Sequence, residues 1–372
     1  MSLSRVGDRC PLYESTMLIR ERVRRFVQGH TRRIRVGFAG SGPLMDLVVQ
    51  GYRTHPRAVL AAAYHPDRST AKGLASMWGC ETACADHSDF LATVDLVEYG
   101  ELPGGHHSLA VRAIEAGRHV SLPKPLARSV QQADELASVA GRAGVRVRVN
   151  DPFLFYPPYL KVKELLGRQE IGEPSSIRIK ATVGCGGTWD LPAFSHDLGV
   201  EGYLFHPCLD RFSLAIYLLG DIERVATYTN SMDRERGGQA LVIFKYKHPG
   251  RYGVLDLTLA PQMYIRSNYY PVHEIVEIAG TDGIIWANHC IGRMTEEPPI
   301  VVRLARRYYQ IGVECELKTD LADAFSGSAH DVLMAILRNR AARSSLAESA
   351  EGLRFLLTAA ESGRTGSELS VR

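Results

Sequence analysis

Lysine is scarce in this sequence: only eight of the 44 basic residues are lysine, and the rest are arginine. Such a bias reads as a compositional habit rather than a function. Charge of one sign is lacking as well. Lys+Arg 44 against Asp+Glu 41 leaves +3 over 372 residues, too little to make nucleic acid or an anionic membrane the main partner. No apolar run approaches the roughly 20 residues of a membrane-spanning helix. The opening Met1-Ser2-Leu3-Ser4-Arg5 lacks the apolar core of a secretory signal. Cysteine is sparse and odd in number: Cys10, Cys80, Cys84, Cys185, Cys208, Cys290 and Cys315 form no Cys-x-x-Cys pair, and no His pair has zinc-finger spacing. Cys80 and Cys84 either share a helix face or are two small buried thiols, the second being the commoner arrangement. These absences predict a reduced, cytoplasmic protein with no structural metal, no membrane and no nucleic-acid partner.

With 45% apolar and 23% charged residues the chain has the composition of an average globular protein. Single cores stop growing near roughly 250–300 residues, so this length predicts two domains. Residues 1–33 read as an Arg-rich extension in which Met17–Gln28 form a weakly amphipathic helix, either packed on a partner subunit or solvated. From Ile34 the pattern alternates between strand and helix. Strands are expected at Ile34–Ala39, Ala58–Ala63, Val94–Tyr99, His119–Leu122 and Val145–Val149. Helices are expected from Pro43 through Val49, over Asp67–Trp78, near His106–Ala116 and over Val130–Ala143. That alternation predicts a doubly wound parallel sheet over 34–151. Pro152, Pro157 and Pro158 then mark a boundary.

Over 152–372 strand-like runs follow one another at Ser176–Thr182, Arg224–Thr229, Gln239–Tyr246, Tyr252–Leu259 and Ile275–Ala279. His248-Pro249-Gly250 and Gly280-Thr281-Asp282-Gly283 supply turns. A mostly antiparallel open sheet follows, with helices at Tyr159–Leu166 and about Arg211–Leu219 on one face. Two further helices close the chain. The last begins at a Ser345-x-x-Glu348 capping box and is expected to stop at Gly363.

Three stretches carry candidate chemistry. Gly40-Ser41-Gly42-Pro43-Leu44 follows the first strand and opens a helix, the setting of a dinucleotide fingerprint. Gly40 allows the tight turn, Gly42 lets backbone N–H groups approach a pyrophosphate, and Pro43 suits the first helical turn. Met45 stands where a third glycine would be. The acid that would grip the adenosine ribose is missing from the tip of the second strand. Asp67 reads as a helix N-cap, and Arg68 as either a 2′-phosphate contact or a solvated arginine, so NAD and NADP both remain open. Third, Lys124 lies just past a strand, at the edge where doubly wound sheets bind ligands, stiffened by Pro123 and Pro125. A lysine there can orient a substrate hydroxyl or stabilise a developing alkoxide.

The run Glu115-Ala116-Gly117-Arg118-His119-Val120 followed by Pro123-Lys124-Pro125-Leu126-Ala127 resembles the signature of the Gfo/Idh/MocA oxidoreductases, relatives of glucose–fructose oxidoreductase and inositol dehydrogenase. Ile171-Gly172-Glu173-Pro174, Tyr217-Leu218-Leu219-Gly220, Gly280-Thr281-Asp282-Gly283 and Ala360-Glu361-Ser362-Gly363-Arg364-Thr365-Gly366 extend the resemblance over residues 34–372. It implies a Rossmann domain bound to NAD or NADP and a second α/β domain that holds a sugar-like substrate and forms a homo-oligomer through its open sheet. Cofactor contacts are then expected from Gly40, Ser41, Gly42, Pro43, Leu44, Arg68, Leu102, His106, Lys124 and Pro125.

Several signature positions are altered. Pro123 replaces the glutamate before the lysine, Glu101-Leu102-Pro103 replaces Thr-Pro-Asn, and Pro152-Phe153-Leu154-Phe155 replaces Asn-x-Arg-Phe. The family's Asp and, four residues later, His are exchanged here as His206 and Asp210. Four residues apart on a helix is one face, so the pair survives in reverse order. With Lys124, these are the expected catalytic residues. A helix start at Pro207 would leave His206 at the positive end of the dipole, which favours the neutral imidazole a general base needs. The competing arrangement is a capping His206 and an Asp210 paired with an arginine. Trp189, His196 and Tyr203 either line a pocket or pack the domain. Two other functions stay open: a sugar-modifying enzyme with retained NAD, and a drifted binding scaffold.

Overall fold

The computed structural model describes residues 32–102, 105–187, 209–233, 237–290, 298–311 and 317–371. The expected helix at Met17–Gln28, and His206, Pro207, Pro103, Trp189, His196 and Tyr203, lie outside the described residues.

The first sheet holds β1 (Ile34–Ala39), β2 (Ala58–Tyr64), β3 (Thr82–Cys84), β4 (Leu96–Tyr99), β5 (His119–Leu122) and β6 (Val147–Val149) in the order β3-β2-β1-β4-β5-β6. Every pairing is parallel. Ile34, Val36 and Phe38 are fully buried because both faces are covered. The covering helices are α1 (Pro43–Arg53), α2 (Arg68–Trp78), α3 (His87–Ala92), α4 (His107–Glu115) and α5 (Val130–Ala143). The doubly wound expectation holds, with one strand more than the sequence pattern suggests. β3 is only three residues long, and α3 begins three residues after it. Asp67 caps α2 by accepting the Thr70 N–H, as expected. Cys80 and Cys84 do not share a helix: α2 stops at left-handed Gly79, and Cys84 is buried on β3. Helix α1 runs past Val49 to Arg53, burying Tyr52 in its last turn.

After a 3-10 turn at Pro152–Phe155 come α6 (Pro157–Gly167) and the second sheet. Its strands are β7 (Pro174–Gly187), β8 (Ile222–Asp233), β9 (Gly237–Tyr246), β10 (Tyr252–Ser267), β11 (Val272–Gly280), β12 (Gly283–Cys290), β13 (Ile300–Leu304), β14 (Tyr308–Ile311) and β15 (Leu369–Ser370). Their order is β14-β13-β12-β11-β7-β10-β9-β8-β15. All pairings are antiparallel except β7 with β10. The four strands β12 to β15 were not anticipated. On one face lies α7 (Leu209–Leu219), whose Phe212 stacks on Phe355 of the last helix at 4.7 Å.

The two closing helices, α8 (Leu321–Leu337) and α9 (Leu346–Thr365), reach back to the first sheet. His330 on α8 meets His55 after α1 at 3.2 Å. Ser344, just before α9, accepts the Val149 N–H at 2.9 Å. The Ser345/Glu348 capping box is formed, but Gly363 does not end α9. Two more residues extend the helix before Gly366 turns left-handed, since a glycine inside a helix costs only about 1 kcal/mol. Among the described residues no helix is long and apolar enough to cross a membrane.

Candidate active site

The order of the first sheet reverses direction between β1 and β4, and at the carboxyl ends of these strands the expected glycine turn is found. Gly40 and Gly42 have φ of 102° and 113°, a region side chains resist. A Cβ on Gly40 would sit 2.3 Å from the Glu101 carbonyl oxygen. The turn is pinned on both sides. The Gly40 N–H donates to Tyr64 O at 3.0 Å, and Ser41 and Glu101 exchange backbone bonds of 3.0 and 3.2 Å. Gly42 caps α1 and Pro43 opens it. Gly42 and Leu44 therefore present N–H groups in a turn that leaves its first donors without helical acceptors. That backbone fits a diphosphate. The nearest side chain is an acid: the Glu101 carboxyl carbon is 3.3 Å from where a Gly42 Cβ would be. Glu101 is exposed. Leu102 packs against the turn, its Cγ 3.0 Å from the Gly40 Cβ position.

At the tip of β2, Asp67 accepts from the Thr70 N–H, the Thr70 hydroxyl and the Ser69 hydroxyl at 2.7, 2.7 and 2.8 Å. These bonds, led by Thr70, hold its carboxyl at about 2. Arg68 is exposed on the first turn of α2. His106 precedes α4, with its Nε2 3.3 Å from Leu126 O, so it ties that helix to the Lys124 loop. Burial is the main cause lowering its pKa, which keeps the ring neutral.

Lys124 follows β5 by two residues, and its peptide with Pro125 is cis. Its side chain is 12% exposed, and the ammonium pairs with Asp151 Oδ1 at 2.9 Å and with Asp210 Oδ1. Asp210 lies in the first turn of α7. Asp210 thus pairs with this lysine, not with the arginine of the competing arrangement. Neighbouring Arg211 is occupied elsewhere: its Nε donates to Glu274 Oε2 at 2.5 Å, and its guanidinium lies over Phe153 at 5.1 Å.

Asp151 was missed in the sequence, where Asp151-Pro152 looks like a domain boundary. The available signal was position, since Asp151 follows β6 as Lys124 follows β5. The carboxyl is 1% exposed and accepts the Phe153 N–H at 3.2 Å. Burial pushes its pKa upward, opposed by the Lys124 charge, reinforced by the Asp210 charge, and opposed again by hydrogen bonds from Lys124 and Ser213. Tyr270 is half-buried at the end of the loop before β11. Burial raises its hydroxyl pKa, and the charges of Glu101 and Asp210 raise it further. Gly40, Ser41, Gly42, Pro43, Leu44 and Leu102 thus gather at the sheet reversal. Lys124, Pro125 and Asp210 gather beside them, with Arg68 at the far tip of β2.

A parallel sheet of this order with a glycine turn at its reversal point is the architecture of a dinucleotide-binding fold. Residues 34–151 match the Gfo/Idh/MocA oxidoreductase family model, described as having an NAD-binding Rossmann fold. An oxidoreductase of Synechocystis is 29% identical over 40% of this chain and 41% of its own length. The dTDP-3,4-didehydro-2,6-dideoxy-alpha-D-glucose 3-reductase of Actinomadura kijaniata is 30% identical over 64% of this chain and 65% of its own. The chain thus spans less than two thirds of either relative. The myo-inositol 2-dehydrogenase of Thermotoga maritima is 24% identical over 85% of this chain and 97% of its own. Among solved structures, an Agrobacterium radiobacter oxidoreductase with NAD+, L-tartaric acid and magnesium shares the fold, with TM-score 0.78 and 17% identity over 91% of this chain and 98% of its own. Levoglucosan dehydrogenase with NADH and levoglucosan superposes with TM-score 0.76 and 18% identity, over 91% of this chain and 100% of its own.

Proposed function

We propose that this protein is an NAD(P)-dependent oxidoreductase moving a hydride between nicotinamide and a carbinol or carbonyl carbon of a sugar, cyclitol or related small polar metabolite. The observation that supports it most is the Lys124 ammonium at the edge of the parallel sheet, paired with a carboxylate from α7 of the other layer. Relatives named for a nucleotide sugar and for myo-inositol support the substrate class. Bound nicotinamide would supply the hydride acceptor or donor. Gly40, Ser41, Gly42, Pro43 and Leu44 would hold the diphosphate, Leu102, His106 and Pro125 the nicotinamide end, and Arg68 the adenosine end. Lys124 donates to the substrate oxygen and stabilises the negative charge that develops there. Asp210, at 28% exposure, accepts the hydroxyl proton, and His206 is its partner in carrying that proton to solvent. Asp151 keeps the ammonium aimed into the cleft.

The test begins with heat-denaturing the purified protein and identifying any released dinucleotide by mass. Stripped protein is then melted with NAD or NADP at about 100 times Kd, where binding stabilises by about 2.7 kcal/mol. A shift with one dinucleotide identifies the cofactor. No shift with either refutes the reading and leaves the scaffold alternative. Tightly retained NAD without stoichiometric NADH release would indicate transient oxidation instead.

The outer face of the second sheet exposes Tyr228, Leu241, Ile243 and Tyr252. Tyr228 and Leu241 are cross-strand neighbours on β8 and β9. Apolar exposure of this size marks an interface, and a second copy of the chain is proposed to cover it. Light scattering should give a multiple of the chain mass, falling on Leu241→Glu with Ile243→Lys. A monomeric wild-type mass would reject the interface.

A further inference from the structure

Among the described residues, the charge around the Lys124 ammonium is unbalanced. Asp151 and Asp210 both pair with this single cation. Glu101 stands across the cleft over the glycine turn. The charges of Glu101 and Asp210 both raise the Tyr270 hydroxyl pKa. The cations closest in the chain are already engaged. Arg211, next to Asp210, is 2% exposed and bound to Glu274. Arg148, three residues before Asp151, is 1% exposed and bound to Glu98.

These groups discriminate between substrates by charge. A hydroxyl can accept from Lys124 and donate to Asp210 at once, so it enters between them and keeps both satisfied. A carboxylate or phosphate can only accept. It would have to displace Asp210 from the ammonium and then sit opposite Asp210 and Glu101 without donors for either. A protonated amine gains what the anion loses. Resting on the redox reading above, we infer that the part of the substrate entering this cleft is neutral polyhydroxylated or amine-bearing, never a sugar acid or sugar phosphate, and that Asp210 imposes this choice.

The experiment uses NAD(P)-saturated protein and a panel of pentoses, hexoses and cyclitols, each with its uronic or aldonic acid, its phosphate and its amino-deoxy analogue. Thermal shift ranks the panel and calorimetry measures the leading set at neutral pH. The tightest ligand should be neutral or amine-bearing, with its acid counterpart weaker by about tenfold or more. Asp210→Asn should narrow that gap to about threefold or less, and Glu101→Gln should narrow it part of the way. Should Asp210→Asn prove unstable, Glu101→Gln alone carries the comparison, since Glu101 is exposed. An acid or phosphate as the tightest ligand, a gap unmoved by both variants, or no panel member binding to dinucleotide-loaded protein would each overturn the inference. Absence of any dinucleotide shift, by contrast, would sink the redox reading beneath it.

Discussion

Lys124→Ala is expected to lower kcat/KM by about 10²–10⁴-fold, the usual contribution of a positioned proton-handling group. Dinucleotide binding should survive, because the glycine turn is built by β1, β2 and β4 without this side chain. A stability signature accompanies the loss. Asp151 keeps its burial but loses the first influence that opposes it, so its already raised pKa climbs further. A carboxyl whose folded pKa is raised binds its proton more tightly when folded. Its contribution to stability is therefore fullest at low pH and is lost as pH rises above the unfolded value of about 4. The deficit of Lys124→Ala against wild type should thus be larger at about pH 7 than at about pH 5. Steady-state kinetics and urea melts at the two pH values check both parts. Unchanged turnover would remove Lys124 from the mechanism, and a deficit larger at the acid end would show that Asp151 is not the group left unpaired.

Arg148→Ala is expected to destabilise the protein by about 3–5 kcal/mol, as when one partner of a buried ion pair is removed. Arg148 is a charged residue in the interior of a parallel sheet, 1% exposed. Its guanidinium donates to Glu98 Oε1 at 3.0 Å, Ser121 Oγ at 3.1 Å, Ser328 O at 3.0 Å and Ser328 Oγ at 2.6 Å. Glu98 also accepts from the Tyr52 hydroxyl and, at 3.4 Å, from Asn150 Nδ2. Ser328 closes the circuit by donating to Asn150 Oδ1 at 2.7 Å. The network binds β4, β5 and β6 to α8, and it fixes the strand end from which Asp151 reaches Lys124. The double variant Arg148→Met with Glu98→Gln should be milder than Arg148→Ala, because no charge is left buried alone. Urea midpoints at constant m-value measure both variants. A single variant within about 1 kcal/mol of wild type would mean that solvent reaches the network.

Much of the first sheet was legible because each strand and helix carries its own periodicity. Ile34–Ala39 with the glycine turn, Asp67 before its helix and Ser345 before the last one are local signals, complete within about one helical turn. Lys124 stood out for the same reason, at a strand end between two prolines. The three-residue β3, the four-residue β14 and the two-residue β15 are too brief for a pattern to rise above loop composition. Gly363 misled because a glycine marks a helix end only where the chain turns left-handed, and here that residue is Gly366. Asp151 escaped because Asp-Pro is also turn chemistry. Glu98 and Arg148 escaped because charged residues in strands normally face water, and nothing local shows that they meet across Ser121 of the intervening β5 in a dry sheet.

The sequence by itself determined the alternating order of strands and helices and the place of the glycine turn after β1, since these depend on residues adjacent in the chain. Only the tertiary structure decided who shares the ammonium of Lys124. Asp151 and Asp210 arrive from separate segments, and Coulomb attraction depends on distance and on the water removed between charges, neither of which spacing along a chain encodes.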